Sequence, residues 1–288
     1  MRLGNADGKC IARLGDIHLA YHDAGSGPAV LLLHGCPFAS FVWRRLLPQL
    51  SGTHRCLAPD LLGLGDTETP READWSLRAQ AAAMVGLLDA VGIERAHVVG
   101  HDHGAAVAQV LASEYPARID RLVLADAEAY DNWPSAEERP FVRLTQLPLL
   151  GDFALWLWSR KPLLRTTLVR AKAVHEPHSL SVEFIEALVR ANLVDQHRRA
   201  KTKRFLAGQF DSGNNRVTMD VLGGLRRFDH PTLLIWAQDD AHFGPEWGER
   251  LRRDIPGAER LELLPSTGHL LMEERPEQFA KLVRDFLQ

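Results

Sequence analysis

The sequence predicts an α/β fold: a mostly parallel central sheet flanked by helices, interrupted once by a long helical insertion. Three observations lead there. Short apolar runs alternate with amphipathic stretches between residues 29 and 125, the pattern left in a chain by successive strand and helix units. Between residues 130 and 222 no buried strand is evident, only helix-like stretches rich in Trp, Leu and Arg. Alternation then resumes at residues 231–236. Such alternation implies parallel strands joined by right-handed crossovers. The expected organisation is a core of residues 1–130 and 223–288 with a helical domain, 131–222, inserted into it.

Taken in order, residues 11–14 and 17–22 form a hairpin across Gly15-Asp16, and residues 25–28, with two glycines and Pro28, form a turn. The five apolar residues 29–33 read as a strand buried on both faces. It ends in His34-Gly35-Cys36-Pro37, where a glycine lets the backbone approach a ligand and a proline stiffens the exit. A helix over 38–50 and a strand over 55–58 follow. The glycine-rich loop 60–65 lacks both the Lys-Ser/Thr ending of a phosphate loop and the third glycine of a dinucleotide fingerprint, so it predicts no nucleotide. Ser76 caps a helix that runs to Ala90 and ends at Gly92.

Residues 96–99 are the next strand, 105–113 a helix of small residues, and 121–125 another strand. Within the insertion the helix-like stretches are 153–158, 163–173, 182–194 and 197–207. Strands at 231–236 and 259–264 and a helix over 276–287, with Pro276 in its first turn, complete the chain.

Composition narrows the function. Hydrophobic residues make up 45% and charged residues 25%, ordinary for a globular protein, and 34 basic against 37 acidic residues leave a net charge of −3. That balance gives no reason to expect nucleic acid or a membrane surface as partner. Residues 1–9 contain no apolar core of signal-peptide length and no 18 apolar residues run together, so a cytoplasmic location is expected. Cys10, Cys36 and Cys56 are too scattered for a disulfide framework and are expected as thiols. No internal repeat is visible. The basic run 198–204 is expected to be a solvated helix face.

The chemistry concentrates at Gly100-His101-Asp102-His103-Gly104, directly after the 96–99 strand. A turn of this form places its central residue on a sharp corner at the C-terminal edge of the sheet, with the next backbone N–H facing a reacting oxygen. His101 and His103 diverge on such a turn, and no ligand cluster of known spacing lies nearby, so no metal and no cofactor is expected.

The pattern resembles the nucleophile elbow of the α/β-hydrolase superfamily, with aspartate in place of serine. His34-Gly35-Cys36-Pro37, the Trp236 to Asp240 segment and Ser266-Thr267-Gly268-His269-Leu270 extend the similarity over nearly the whole chain. Together they resemble the haloalkane dehalogenase and epoxide hydrolase branch, fluoroacetate dehalogenases included. That resemblance implies an α/β-hydrolase fold with the insertion acting as a cap, Asp102 as nucleophile and His269 as catalytic histidine. Asp240 is implied as its supporting acid, with Asp126 as the alternative, because some relatives place the acid after the preceding strand, where Asp126 and Glu128 stand. The N–H groups of Cys36 and His103 are implied as the oxyanion hole.

An aspartate with a pKa near ~3.9 is ionised at neutral pH and needs no base. Its attack on a carbonyl would give a high-energy anhydride, whereas attack on a saturated carbon gives an ordinary ester that a histidine can hydrolyse with water. A hydrolase of a small-molecule substrate at saturated carbon is therefore expected, with C–halogen cleavage ahead of epoxide opening because tyrosines are scarce and tryptophans abundant in the insertion. A non-catalytic ligand-binding protein on the same fold is the alternative of another class. His34, Tyr130, Trp133 and Trp156 are the candidate substrate contacts, with Trp158 and the histidines His175, His178 and His197 behind them. His103 stands where relatives carry tryptophan or arginine.

Overall fold

The computed structural model describes residues 8–208 and 211–288. Residues 1–7, most of the stretch scanned for a leader, lie outside the described residues. Eight strands form one sheet: β1 (Cys10–Leu14), β2 (Ile17–Ala24), β3 (Ala29–Leu33), β4 (Arg55–Pro59), β5 (Ala96–His101), β6 (Ile119–Ala125), β7 (Thr232–Ala237) and β8 (Ala258–Leu264). Their spatial order is β1-β2-β4-β3-β5-β6-β7-β8. β1 and β2 pair antiparallel as the expected hairpin, and β2 meets β4 antiparallel. Every pairing from β4 to β8 is parallel.

β3, β5 and β7 are buried at every residue. Their continuous apolar runs are what two covered faces require. Successive residues serve opposite sides: Leu31 and Leu33 join one hydrophobic cluster, Val30 and Leu32 the other. The first is covered by helices α2 (Leu77–Ala90), α3 (His103–Glu114) and α11 (Pro245–Asp254). Short α1 (Leu47–Leu50) and the C-terminal α13 (Pro276–Leu287) cover the second.

The helix expected over 38–50 is instead a 3-10 turn, Ser40–Arg45, followed by α1. Pro48, which has no N–H to donate, sits in the first turn of a new helix rather than inside a long one. Ser76 does cap α2, its side chain accepting from Ala79 N–H at 3.3 Å.

Between β6 and β7 the chain is helical: α4 (Arg139–Gln146), α5 (Leu150–Trp158), α6 (Lys161–Arg170), α7 (Val182–Asn192), α8 (Gln196–Gly208), α9 (Ser212–Asp220) and α10 (Leu222–Leu225). α9 and α10 pack on α3. The basic run in α8 departs from the expected solvated face. Arg198 donates to the Gly65 carbonyl at 3.0 Å and to Asp66 Oδ1 at 2.6 Å, and Lys201 donates to the Thr67 carbonyl at 2.7 Å. Arg204 stacks over the Trp75 ring at 3.8 Å. These cations tie the insertion to the loop after β4, whose carbonyls and carboxylates offer acceptors that helix spacing alone cannot reveal. Among the described residues no helix is long and apolar enough to cross a membrane.

Parallel pairing aligns the strand ends. Leu33 is level with Gly100, His101 with Ala125, and Ala125 with Ile235. The loops after β3, β5, β6, β7 and β8 therefore converge at one edge, where open α/β sheets bind ligands.

Candidate active site

Asp102 follows β5 at φ 55° and ψ −122°, a backbone conformation few side chains adopt. Surrounding bonds hold it there. Its N–H donates to the Ala125 carbonyl at 3.2 Å, and its own carbonyl accepts from Ala105 N–H at 3.0 Å and Glu128 N–H at 3.3 Å. The corner closes only without a side chain at 104, where a Cβ would lie 2.2 Å from the Leu33 carbonyl oxygen.

Asp102 Oδ2 accepts from Cys36 N–H at 2.8 Å. A Cβ on Gly35 would lie 2.2 Å from that same oxygen, so the glycine is what allows the loop after β3 to reach the carboxylate. Oδ1 is buried and has no hydrogen-bond partner among the described residues. Burial opposes ionisation of Asp102, but the imidazoles of His269, His101 and His103 outweigh it and hold the carboxyl below its ordinary range. His103 opens α3, whose unpaired N-terminal N–H groups favour an anion at this corner.

The loop after β8 brings His269 Nε2 to 3.9 Å from Asp102 Oδ2. On the far side of the ring, Nδ1–H donates to Asp240 Oδ2 at 2.9 Å. Asp240 is itself fixed, its Oδ1 accepting from His242 N–H at 2.7 Å and Phe243 N–H at 3.1 Å. Burial alone would lower the His269 pKa; the carboxylates of Asp240 and Asp102 reverse this and raise it well above its ordinary value. His101 Nε2–H donates to the His269 carbonyl at 2.9 Å. Burial, reinforced by the charge of His269, lowers the His101 pKa to about 4 and keeps the ring neutral.

Asp126 also reaches this ring. Its Oδ1 accepts from Ala237 N–H at 2.8 Å, while Oδ2 is buried without a partner. Burial and the neighbouring Asp240 charge push its pKa well above the carboxylate range. Ligand atoms of His101, Asp126 and His269 lie within 4.8 Å of one another, a grouping that could hold a metal. One nitrogen of each histidine is engaged, His269 Nδ1 on Asp240 and His101 Nε2 on a backbone carbonyl, while His101 Nδ1 and Asp126 Oδ2 have no partner among the described residues.

Glu128 and His103 form a second pair beside Asp102. His103 Nδ1 and Glu128 Oε2 share a hydrogen at 2.6 Å, with both side chains almost wholly buried. The His103 ring stands edge-on to Phe205 at 5.1 Å and Trp133 at 5.8 Å, and its Nε2 has no partner. Glu128 was visible in the sequence only as a neighbour of Asp126. Glu274 had no sequence signal at all. Its carboxylate accepts from Gly268 N–H at 2.6 Å, Glu176 N–H at 2.7 Å and His175 N–H at 3.0 Å, joining the His269 loop to the insertion.

A cavity of about 110 Å³ lies over these groups. Cys36, Phe38, Glu128, His242 and His269 line it from the core, and Phe141, Trp158, Leu168 and Leu206 line it from the insertion. The Trp158 Nε1–H is buried without a partner. A wider groove of about 450 Å³, lined by Trp75, Arg204 and Asn214, also reaches His103 and Phe205.

Four expected substrate contacts sit elsewhere. The His34 ring is buried, donating from Nδ1 to the Gly35 carbonyl at 2.8 Å and accepting Leu61 N–H on Nε2 at 2.9 Å, so it braces the loop after β3. Tyr130 donates its hydroxyl to Asp254 at 2.9 Å and packs on Arg250 and Trp247, away from the cavity. Trp133 donates to Thr218 Oγ1 at 3.0 Å and stands behind His103. Trp156 is 39% exposed and stacks with Phe153 and Arg160; two residues further along α5, Trp158 faces the cavity instead. A polar partner or an outward helix position, neither legible from residue type, decided each case. His175 meets Asp239 at 3.0 Å, while His178 and His197 are largely exposed beside Glu176 and Glu68.

Comparison with known proteins agrees with this architecture. Haloalkane dehalogenase 2 of Mycobacterium bovis is 29% identical over 273 residues, which cover 93% of this chain and 90% of that protein. Epoxide hydrolase 3 of Xenopus tropicalis is 27% identical over 295 residues, covering 96% of this chain and 77% of the relative. The crystal structure of an alpha/beta hydrolase fold protein from Burkholderia ambifaria matches with a TM-score of 0.79 at 28% identity, over 99% of this chain and 97% of that one. The family model for the alpha/beta hydrolase fold matches residues 28–276, and the chain belongs to that family.

Proposed function

We propose that this protein hydrolyses a bond at saturated carbon through an alkyl ester on Asp102. The single observation that supports this most is the environment of the Asp102 carboxylate: Oδ2 is held by Cys36 N–H at 2.8 Å while Oδ1 is left without a partner. Oδ1 attacks carbon and the leaving group departs with the bonding pair. Water then adds to the ester carbonyl as His269 takes its proton, and the N–H groups of Cys36 and His103 stabilise the oxyanion. His269 begins the cycle facing two carboxylates. Alkylation neutralises Asp102, which removes one of the charges that hold the imidazolium and so frees His269 to act as a base.

The leaving group is halide or oxygen, chemistry that the names of the two relatives above bracket. For halide, the cavity supplies the Trp158 Nε1–H. For oxygen, it supplies the Glu128 carboxyl, and the further glutamates Glu137 and Glu138 in the lining disfavour a departing anion. The lining therefore favours the epoxide-type reaction over the C–halogen cleavage expected from residue counts.

Intact mass spectrometry of His269→Ala after exposure to halogenated compounds and epoxides tests the ester. An epoxide adds its whole mass and a halide adds the alkyl group alone, in each case at Asp102. A protein that gains no mass from any panel, or gains it at another residue, does not use this mechanism.

A further inference from the structure

We infer that Glu128, positioned by His103, donates the proton to the departing oxygen, and that the substrate is an uncharged strained cyclic ether. This rests on the Asp102 ester reading and goes beyond it by assigning the acid and the substrate class.

Opening a strained ring at carbon leaves an alkoxide, so the site must hold a proton next to the nucleophile. Tyr130, at the edge of the insertion, gives its hydroxyl to Asp254, and no tyrosine lines the cavity among the described residues. Glu128 does line it, together with Cys36 and His269, the residues that contact or face Asp102. Its backbone is bonded to the Asp102 carbonyl at 3.3 Å, which fixes the acid relative to the attacking carboxylate.

One carboxyl oxygen of Glu128 is taken by His103 Nδ1 at 2.6 Å. Phe205 and Trp133 box the His103 ring edge-on, so it cannot swing away. The pair holds a proton either as carboxylic acid with imidazole or as carboxylate with imidazolium. Once Glu128 has given its proton to substrate, His103 is in place to stabilise the carboxylate. Burial raises the Glu128 pKa against the opposing charge of His103, and Glu128 in turn raises that of His103 against its own burial, so the resting pair holds one proton between the two side chains. Beside Glu128 the lining contains Glu137 and Glu138 and, among the described residues, no lysine or arginine, which disfavours an anionic substrate.

The step balances. Asp102 Oδ1 forms a bond to ring carbon as the carbon–oxygen bond breaks, and the electron pair goes to oxygen, which takes the Glu128 proton. In the second half, water supplies hydroxide to the ester carbonyl and a proton to His269, which passes it to the departing alkoxide of the ester. The remaining water proton leaves the regenerated carboxyl and restores Glu128. The products are a diol and unchanged enzyme.

The test uses the full chain carrying His269→Ala, so that the ester accumulates, with an uncharged terminal epoxide and an alkyl bromide of the same carbon skeleton. Only the epoxide needs a proton on its leaving group. Adding Glu128→Gln should lower the ratio of epoxide to bromide alkylation at Asp102 by about 10²-fold or more, the usual scale of general acid catalysis. Glu128→Asp, which keeps an acid, should regain part of that loss, and an epoxide bearing a carboxylate should react at least about tenfold more slowly than the neutral one. An epoxide that alkylates while the bromide does not also supports the assignment, provided Glu128→Gln slows it. An unchanged ratio in Glu128→Gln, equal loss with both reagents, alkylation by bromide alone, or equal reaction of the charged epoxide overturns it. If neither reagent alkylates the His269→Ala parent, the ester reading itself has failed.

Discussion

Asp240 Oδ2 accepts from His269 Nδ1 at 2.9 Å, whereas Asp126, at the end of the adjacent strand β6, directs its Oδ1 to the Ala237 N–H at 2.8 Å. Two carboxyl groups thus lie behind one imidazole, and their surroundings separate them. The Asp240 carboxylate helps raise the His269 pKa, while burial and that same charge push the Asp126 pKa well above the carboxylate range.

Substitution by asparagine should distinguish the two. Asp240→Asn removes the charge that orients His269 and should slow ester hydrolysis by about 10³- to 10⁴-fold, with the alkyl-enzyme accumulating. Asp126→Asn replaces a neutral acid with a neutral amide of the same shape and should leave turnover within about threefold. Rapid-quench measurement of ester formation and breakdown in each variant checks this. Slow breakdown in Asp126→Asn with normal breakdown in Asp240→Asn would reverse the assignment.

Gly35→Ala should disable the first step. The added Cβ would lie 2.2 Å from Asp102 Oδ2, so either the carboxylate turns or the loop retreats, and both separate Oδ2 from Cys36 N–H. A displacement of about 1 Å at a reacting group costs about 10²-fold in rate. Single-turnover alkylation of Gly35→Ala should fall by that order with the fold intact by circular dichroism. A rate within threefold of wild type would mean that Oδ2 does not need the loop after β3.

What the sequence revealed and concealed follows from how local each feature is. The sheet was legible because β3, β5, β6 and β7 are short apolar runs whose burial follows from composition. Asp102 and Cys36 each stand within a few residues of such a run, and His269 lies in the loop after the half-exposed β8, so their convergence at one sheet edge follows once the strands are parallel. The Glu128–His103 bond joins residues 25 apart on different elements, and the Glu274 carboxylate reaches back 98 and 99 residues to Glu176 and His175. Contacts of that kind depend on how the insertion settles on the core. The same dependence explains why Trp158, rather than Trp156, faces the cavity: a two-residue step turns a helical side chain by more than half a revolution.

Glu274 should matter for stability as well as for the site. It is 7% exposed and satisfies three backbone N–H groups in two segments, one next to His269 and one in the insertion. Glu274→Ala strands these donors and should destabilise the protein by about 2–4 kcal/mol. Urea unfolding should show a lower midpoint with an unchanged slope. The His269 loop should also loosen, so turnover falls even where the variant remains folded. A midpoint within about 0.5 kcal/mol of wild type would mean that water or other groups replace the carboxylate.

Acid should withdraw the stability that the buried histidines contribute. Burial lowers the His34 pKa to about 4 against the opposing charge of Asp60, and burial with the His269 charge lowers His101 to about 4. An unfolded chain protonates both near their ordinary value of 6.5, so between pH 6.5 and 4 the unfolded state binds more protons. The stability these two histidines contribute should therefore fall as pH is lowered through that window, by about 3 kcal/mol each. Glu128, raised by burial to about 7, and Asp126, raised by burial and the Asp240 charge, contribute in the opposite sense as pH falls toward their unfolded values. His269 acts in the opposite sense, but its raised pKa places that effect above pH 6.5. Asp60 extends the loss: burial would raise its pKa, yet Lys9 and His34 hold it at about 2, so its contribution disappears only as pH falls from about 4 to 2. The His101 contribution is read as a difference: between pH 7 and pH 4 the urea midpoint of wild type should lose more, relative to that of His101→Gln, which retains a donor for the His269 carbonyl but cannot titrate. Parallel wild-type and His101→Gln profiles down to pH 4.5 would show that water reaches the His101 ring and that it protonates in the folded state.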